Sequence, residues 1–432
     1  MQHADPYIPG HGDRRFGVRS YDLDLDYKVA TNHLSGRAGL DVEIAEDTAV
    51  LALDLYGLTV SRVRVDGAAP VKFTHRDRKI RITLASVVPA GSRLRIEVDY
   101  AGKPRPMPSS FGPVGWEELA DGVLVAAQPC GAPTWFPCND RPDDKAEYRF
   151  AVTATDPYRV VANGVLDGRT RRAGRSTWHY RQAQPMATYL AVLHVGRYTT
   201  TELTDWVHLV HPRSVRVGAG TAFARQAEMV STFVEMFGPY PFDSYRAVIT
   251  ADELEIPLES QSLSTFGANH VVAHWENERL VAHELAHQWF GNSLTVGEWS
   301  DIWLHEGFAC YSEWLWSEAS GGRRAADLAA DHHRRLAALP QDLVLGAPGR
   351  ALMFDDRVYK RGALALHEIR ERLGESFFPM LRAWTAEHRW SVVSTAGFVA
   401  HAQRYTETDL SFLIATWVYA APLPPMTARA PA

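Results

Sequence analysis

The chain has 432 residues, of which 46% are hydrophobic and 22% charged, a composition typical of a globular protein with two or three domains. Its net charge of −6, with no basic block, argues against nucleic acid as a partner. The sequence has no apolar run as long as a membrane span and no leader pattern, and its three cysteines are few and odd in number, so we expect a reduced, cytoplasmic protein without a membrane partner.

The residues from Tyr21 to about Tyr198 predict a β-rich domain. Polar and apolar side chains alternate along residues 21–27, as in a half-buried strand. Similar runs follow, with glycine, proline or aspartate near their breaks: Gly39–Ile44, Ala49–Leu55, Ser61–Val65, Lys79–Leu84 and Arg93–Tyr100. Regular short strands separated by turn residues are typical of an antiparallel β-sandwich or saddle.

The pattern changes after the β-rich part. Proline-rich segments at 103–108 and 128–146 interrupt or follow the strands. Residues 219–237 have helical spacing, residues 245–250 have the pattern of a strand, and residues 368–419 predict further amphipathic helices. The second half of the chain is therefore predicted to be mainly helical.

Residues 280–292 contain the motif H-E-x-x-H in a predicted helix. Positions i and i+4 lie on one helix face, so His283 and His287 can bind a common ion, and two neutral imidazoles at this spacing suit Zn²⁺. Glu284 is placed to accept a proton from metal-bound water. For the five residues alone, the alternative is a buried helix whose histidines are hydrogen-bonded core residues.

A second predicted helix, residues 300–316, supplies a third ligand. Its Glu306 lies nineteen residues after His287, and the loop 293–299 leaves room for an antiparallel helix hairpin that returns this carboxylate to the metal. Catalytic zinc has three protein ligands and an open fourth position, and two histidines with one glutamate are a known set. We therefore predict one zinc ion per chain, bound by His283, His287 and Glu306.

The runs His-Glu-Leu-Ala-His-Gln-Trp-Phe-Gly-Asn (283–292) and Trp-Leu-His-Glu-Gly-Phe-Ala (303–309) resemble the aminopeptidase N family of zinc metallopeptidases, the gluzincin group that also contains leukotriene hydrolase. The resemblance extends from about residue 21 to residue 419. It implies an α+β protein, with an N-terminal antiparallel β-sandwich or saddle domain over 1–203 and a thermolysin-like, mainly helical zinc-peptidase domain over 204–432. Residues 186–196 look like the last strand of the family's β-domain, which places the boundary near Leu203. The Pro/Ala-rich end, 420–432, is predicted to be frayed.

The same resemblance implies two substrate-binding residues. Glu259 matches the glutamate of the family's Gly-x-Met-Glu-Asn motif, which binds the free α-ammonium group of the peptide. Gln128 matches a family glutamine that reaches the active site from the β-domain and helps to bind the same amino end. The loop 128–146 also resembles a loop in the family's N-terminal β-domain. In this loop Arg141 stands where the family usually has a glutamate, so the role of that glutamate is not carried over to this chain. Three neighbours of Glu259 also differ from the family's Gly, Met and Asn: Ile256, Leu258 and Ser260.

Further resemblances concern the catalytic helix region. Tyr359 matches the tyrosine of the family's Tyr-x-Lys-Gly-Ala motif, which donates a hydrogen bond to the developing oxyanion, and Arg361 stands where lysine is common. Asp301 and Glu313 are candidates to orient the two imidazoles, with a solvated or helix-capping role as the alternative for Asp301. His305 replaces an asparagine common before the zinc glutamate, and we expect a packing role rather than pH sensitivity or metal ligation.

These residues together imply hydrolysis of the N-terminal residue from peptides, with Glu284 as general base. Three alternatives stay open: a zinc-containing module that binds peptide termini without cutting, an epoxide hydrolase like leukotriene hydrolase, and an endopeptidase of thermolysin type. Intact Glu284 and Tyr359 argue against the binding module, and Glu259 argues against the endopeptidase, which has no ammonium group to bind. Most family members continue with a large helical domain where this chain stops, so we expect a more open cleft.

Overall fold

The computed structural model describes residues 5–427. The chain divides into two compact units. The first runs to Val215 and includes Phe242–Ala268, and the second comprises Arg216–Pro241 and the chain from Asn269 onward. The predicted boundary near Leu203 lies inside the first unit, between two strands that pair with each other.

The first unit is built from strands. They are β1 (Phe16–Lys28), β2 (His33–Ile44), β3 (Thr48–Asp54), β4 (Thr59–Val65), β5 (Lys72–Arg76), β6 (Lys79–Val88), β7 (Arg93–Gly102), β8 (Met107–Ser109), β9 (Gly112–Leu119), β10 (Gly122–Ala126), β11 (Lys145–Thr155), β12 (Arg159–Ala162), β13 (Val165–Arg172), β14 (Arg175–Ala187), β15 (Leu193–Gly196), β16 (Tyr198–Glu202), β17 (Val207–Pro212), β18 (Tyr245–Ile249), β19 (Leu258–Ser260) and β20 (Leu263–Phe266).

The first unit contains a seven-stranded sheet in the order β13-β14-β11-β1-β2-β7-β4. In β1, Tyr21, Leu23 and Leu25 are buried while the aspartates between them point outward, which confirms the predicted alternation. The runs predicted in β2, β3, β4, β6 and β7 are also strands. Most of the pairings are antiparallel, as expected for the predicted sandwich or saddle, whereas β1 pairs with β11 in parallel.

Residues 186–196 do not form the single strand that was predicted. Strand β14 ends at Ala187, a 3₁₀ turn spans Thr188–Leu190, and β15 begins at Leu193. The side chain of Asn163 explains the break, because it donates to the Leu190 carbonyl (2.9 Å) and accepts from the Val192 N–H (2.8 Å). The Leu190 carbonyl and the Val192 N–H therefore have hydrogen-bond partners without pairing to another strand.

The first unit also contains a five-stranded sheet in the order β16-β17-β18-β20-β19. Strand β18 confirms the strand predicted at 245–250. Strand β19, which carries Glu259, is an edge strand that pairs only with β20 in this sheet. Four of its strands contribute to a buried apolar cluster, which also includes two residues from elsewhere in the first unit. The members are Tyr198, Val210, Val248 and Leu263 of the sheet, together with Val161 and Val192.

The second unit is mainly helical. Its elements are α1 (Gln226–Phe237), α2 (Trp275–Ala286), β21 (Thr295–Val296), α3 (Trp303–Ala319), α4 (Ala325–Ala337), α5 (Asp356–Leu373), α6 (Phe377–Glu387), β22 (Val392–Val393), α7 (Thr395–Gln403) and α8 (Ser411–Trp417). Helix α1 begins later than the predicted residue 219, because the Thr221 hydroxyl bonds to the Gly218 carbonyl (2.7 Å) and the Thr221 backbone pairs with Val272. Within residues 5–427, no helix is long and apolar enough to cross a membrane.

Two glycines set the packing of α3 against α5. A Cβ atom built on Gly307 would lie 2.9 Å from the backbone of Gly362, and one built on Gly362 would lie 2.8 Å from Gly307. Both distances are shorter than van der Waals contact, so only glycine allows the helices to approach this closely. Because Gly307 follows Glu306 directly, this contact brings α5 against the part of α3 that carries the predicted metal ligand.

The segment after α8 is bound to α5. The Arg361 guanidinium donates to the carbonyls of Trp417 (2.8 Å), Ala420 (2.5 Å) and Ala421 (2.6 Å). Further along, the Thr427 N–H donates to Glu368 (3.1 Å). The prediction of a frayed tail is therefore wrong as far as Thr427, because a buried cation and a carboxylate of α5 bind its backbone; the rest of that prediction, 428–432, lies outside the described residues.

Candidate metal centre

The three predicted ligands lie together in the second unit. Helix α2 presents His283, the residue that directly follows its end is His287, and α3 presents Glu306; all three side chains are buried. Oε2 of Glu306 lies 3.4 Å from Nε2 of His283 and 3.5 Å from Nε2 of His287. Zinc–ligand bonds of about 2.0–2.1 Å at tetrahedral angles separate ligand atoms by roughly 3.3 Å. The donors, two nitrogens and one oxygen, therefore fit a single zinc ion.

Acceptors behind the two imidazoles fix their tautomers. Nδ1 of His283 lies 2.8 Å from Oε1 of Glu313, and Nδ1 of His287 lies 3.0 Å from the carbonyl oxygen of Phe290. Since a carbonyl only accepts, Nδ1 of His287 carries the proton and Nε2 keeps its lone pair for a metal. The prediction that Glu313 orients an imidazole is confirmed. The Phe290 carbonyl was missed, because a backbone acceptor has no sequence signal.

Asp301 and His305 have other partners. Asp301 accepts from the Thr395 hydroxyl (2.6 Å) and the Thr395 N–H (3.3 Å), so it holds the start of α7 rather than an imidazole. Burial raises the pKa of Asp301, against the effect of these hydrogen bonds. His305 is fully buried, and its Nε2 accepts from the Val296 N–H at 2.9 Å, which supports the expected packing role.

The electrostatics of the centre favour a cation. Burial alone would raise the pKa of Glu313, but the charge of Lys360 and the hydrogen bond with His283 hold that pKa at about 2. Burial likewise opposes ionisation of Glu306, yet the two imidazoles lower its pKa well below the usual range. For His283, burial opposes the charged form, and hydrogen bonds with both carboxylates raise its pKa to about 9. The two glutamates are thus anionic at neutral pH.

The two predicted catalytic residues flank these ligands. Glu284 is buried on α2 between the two histidines. Tyr359 is the fourth residue of α5 and is partly exposed; its ring centroid is 6.0 Å from that of His283, with the ring planes 21° apart. The glycine contact between α3 and α5 places Tyr359 beside the metal ligands.

The two predicted substrate-binding residues meet in the first unit. Nε2 of Gln128, in the loop after β10, donates to Oε1 of Glu259 at 2.6 Å. Glu259 is buried on edge strand β19, where it faces Ser264 of β20. Of the departures from the family motif, Leu258 and Ser260 belong to the same strand, and Ile256 is exposed.

The N-terminal segment anchors the loop that follows Gln128. Nδ1 of His11 lies 2.8 Å from Asp140, and the Asp13 N–H donates to Asn139 at 2.6 Å. Arg141, the departure noted in this loop, pairs with Asp143 (2.6 Å) and donates to the Asp13 carbonyl (3.2 Å). Sequence reasoning missed this use of the N-terminal residues, because the partners are more than 120 positions apart.

Comparison with known families matches both halves of the chain. Residues 18–190 match the model of the peptidase M1 N-terminal domain, and residues 221–417 match the model of the peptidase family M1 domain.

Similar proteins fall into two groups by length. Aminopeptidase M1 of Arabidopsis thaliana is 23% identical over 99% of this chain and 52% of its own length, and aminopeptidase N of Streptomyces lividans is 24% identical over 94% and 50%. The chain thus spans about half the length of these curated relatives. An M1 zinc metallopeptidase from Deinococcus radiodurans is 31% identical over 99% of both chains with a TM-score of 0.89, and a variant of it was solved bound to the substrate Tyr-Ser-Ala.

Proposed function

This chain belongs to peptidase family M1, and we propose that it is a zinc-dependent aminopeptidase that removes the N-terminal residue from peptides with a free N-terminus. The observation that carries the proposal is the position of Oε2 of Glu306, which lies 3.4 Å from Nε2 of His283 and 3.5 Å from Nε2 of His287. Glu284 is the residue next to His283 on α2. The names of the relatives and the peptide-bound neighbour support the same activity.

In this proposal each residue of the centre has one task. His283, His287 and Glu306 hold one zinc ion, which supplies Lewis-acid polarisation of a carbonyl and a more acidic water molecule. Glu284 accepts a proton from the attacking water and passes it to the leaving amine. Tyr359 donates its hydroxyl hydrogen to the substrate oxygen as negative charge develops there.

The pair Gln128–Glu259 accounts for the choice of the first peptide bond. A carboxylate held by an amide N–H at 2.6 Å is fixed in position and suited to bind the α-ammonium group of a peptide by a charge-assisted hydrogen bond. An edge strand such as β19 can also present backbone groups to an extended peptide, whatever its side chains are. The departures at 256, 258 and 260 are therefore compatible with peptide binding.

A cytoplasmic location is part of the proposal. It accords with the three cysteines Cys130, Cys138 and Cys310, which are buried free thiols.

The proposed roles are tested by replacing Glu284. Glu284→Gln should lower turnover of aminoacyl-coumarins by roughly 10²–10⁴-fold, because it removes the general base, while zinc content stays at the wild-type level. The matched control is Glu276→Gln, an exposed position on the same helix, which should retain full activity. A Glu284→Gln variant with wild-type turnover would exclude this mechanism, and a wild-type protein that binds peptides without turnover would favour the binding module.

A further inference from the structure

A second cluster of metal-ligating side chains lies in the second unit, away from the three predicted zinc ligands. Glu387 is the last residue of α6, His388 follows it, and His401 lies in α7. One donor atom from each residue lies within 4.8 Å of the other two. Glu387 is exposed, His388 is partly exposed and His401 is buried, so the cluster opens to solvent on one side.

The hydrogen bonds of His401 prepare one of its nitrogens for a metal. Nε2 lies 3.0 Å from the Met380 carbonyl oxygen, which can only accept, so Nε2 carries the proton. Nδ1 then holds the lone pair, and it lies 3.5 Å from Oε2 of Glu387. The indole of Trp384 packs against both imidazoles, with centroids 4.1 Å from His388 and 5.2 Å from His401. The aromatic packing limits how far the two rings can move.

A cation already lies at this cluster. Nη1 of Arg404 is 2.8 Å from Oε2 of Glu387 and 3.3 Å from Nδ1 of His401, and Nη2 is 3.0 Å from Oε1 of Glu387. The guanidinium therefore bonds to two of the three donors that a metal would use. Arg404 is 55% exposed and its partner Glu387 is 43% exposed, so the arginine can move into solvent without creating a buried charge.

We propose that Glu387, His388 and His401 form a second metal site, which binds a divalent transition metal such as Zn²⁺ when Arg404 moves out of the cluster. Two imidazoles with one carboxylate suit Zn²⁺, Ni²⁺ or Cu²⁺, whereas Mg²⁺ and Ca²⁺ take oxygen ligands. A contraction of the donor separations to roughly 3.3 Å would complete a tetrahedral set with one open position. The exposed side chain of Glu387 provides most of this movement, while the two imidazoles are held by the indole of Trp384.

The site would bridge the end of α6 and helix α7. Between these helices lies β22, which pairs with β21 of the loop between α2 and α3. Metal binding at the cluster should therefore stabilise the folded second unit and raise its melting temperature when zinc is added in excess, because a ligand that binds only the folded state shifts the equilibrium towards it.

The test is a calorimetric titration of Zn²⁺ into protein that already carries one equivalent of zinc, at pH 7.5. The wild type should show one further binding event, and His388→Gln should weaken that event by at least about tenfold while the first equivalent is retained. Arg404→Gln should strengthen it by about tenfold, because the competing guanidinium is removed. His33→Gln, a partly exposed histidine of the first unit, is the matched control and should behave as the wild type.

Three results would overturn the proposal: no second event up to about 1 mM zinc, a second event that survives His388→Gln, or no gain in affinity for Arg404→Gln. Metal counting does not depend on turnover. An inactive protein with two zinc equivalents would therefore refute the proposed peptidase function and leave this site supported. An active peptidase that binds only one zinc equivalent would refute this site and leave the peptidase function supported.

Discussion

The side-chain amide of Gln128 donates to the carboxylate of Glu259 at 2.6 Å, although the two residues are 131 positions apart in the chain. Gln128 comes from the loop after β10 and Glu259 from the edge strand β19, so two separate parts of the first unit meet at one carboxylate. The pairing joins the two residues that the sequence singled out for binding the amino end of a peptide.

If Glu259 binds the substrate ammonium group, its charge is needed only for substrates that have one. Glu259→Gln should lower kcat/KM for free-amine substrates by roughly 10- to 100-fold, the range expected for a lost charge-assisted hydrogen bond, and should leave any residual hydrolysis of N-acetylated substrates unchanged. Glu255→Gln, an exposed position four residues earlier, is the control. Equal losses on both substrate sets would assign Glu259 a purely structural role.

Glu313 should control how tightly zinc is held. It accepts from His283 and is bound in turn by Arg279 at 3.2 Å, so Glu313→Gln removes the charge that orients and polarises this imidazole. We expect zinc affinity to fall by roughly 10- to 100-fold, measured by competition with a chromophoric chelator. Glu318→Gln, which alters a carboxylate of the same helix that pairs with Arg370, should not change the affinity.

His11 should make the stability of the first unit depend on pH. Burial opposes its charged form, but hydrogen bonds with Asp140 and Cys130 raise its pKa from 6.5 to about 10. A raised folded-state pKa stabilises the protein fully below pH 6.5, and this contribution is lost as the pH rises towards 10.

The destabilisation caused by His11→Gln should therefore be about 3 kcal/mol at pH 6 and shrink as the pH approaches 10. Chemical unfolding at several pH values measures it. His75→Gln, whose imidazole bonds to the Leu55 backbone carbonyl instead of a carboxylate, is the control. A destabilisation that does not vary with pH would show that the charge of His11 contributes nothing.

Arg361 should be irreplaceable by lysine. Its guanidinium binds carbonyls of the segment after α8 and also the Leu343 carbonyl (3.1 Å). These acceptors lie in several directions around the planar guanidinium, and a single ammonium group cannot reach all of them. Arg361→Lys should cost about 3 kcal/mol, a melting-temperature drop of roughly 5–10 °C. The exposed Arg350→Lys is the control; an unchanged melting temperature for Arg361→Lys would contradict the bridging role.

The contrast between the metal ligands and Arg361 shows what the sequence could predict. The ligands follow from helical periodicity: His283 and His287 are one turn apart, and Glu306 returns on the next helix. The strands of the first unit follow from alternation in the same local way. For Arg361 the sequence showed only a positive charge where lysine is common in the family, because three of its acceptors are backbone carbonyls 56 to 60 residues away, and such acceptors can belong to any residue type.

The errors at 186–196 and 219–225 have a related cause. In both stretches the apolar pattern suits a regular element, but side chains such as Asn163 and Thr221 bind backbone groups that the element would need. That competition depends on partners brought close by the fold, so periodicity alone cannot show it.

The central claim, a zinc-dependent enzyme that requires a free N-terminus, is tested most directly with matched substrates. Fluorophore release should be measured from a panel of aminoacyl-coumarins and from their N-acetylated counterparts, before chelation, after chelation and after zinc is restored. We predict release from the free-amine set only, lost with the chelator and recovered with zinc. Equal release from the acetylated set, or release that persists after complete zinc removal, would contradict this account.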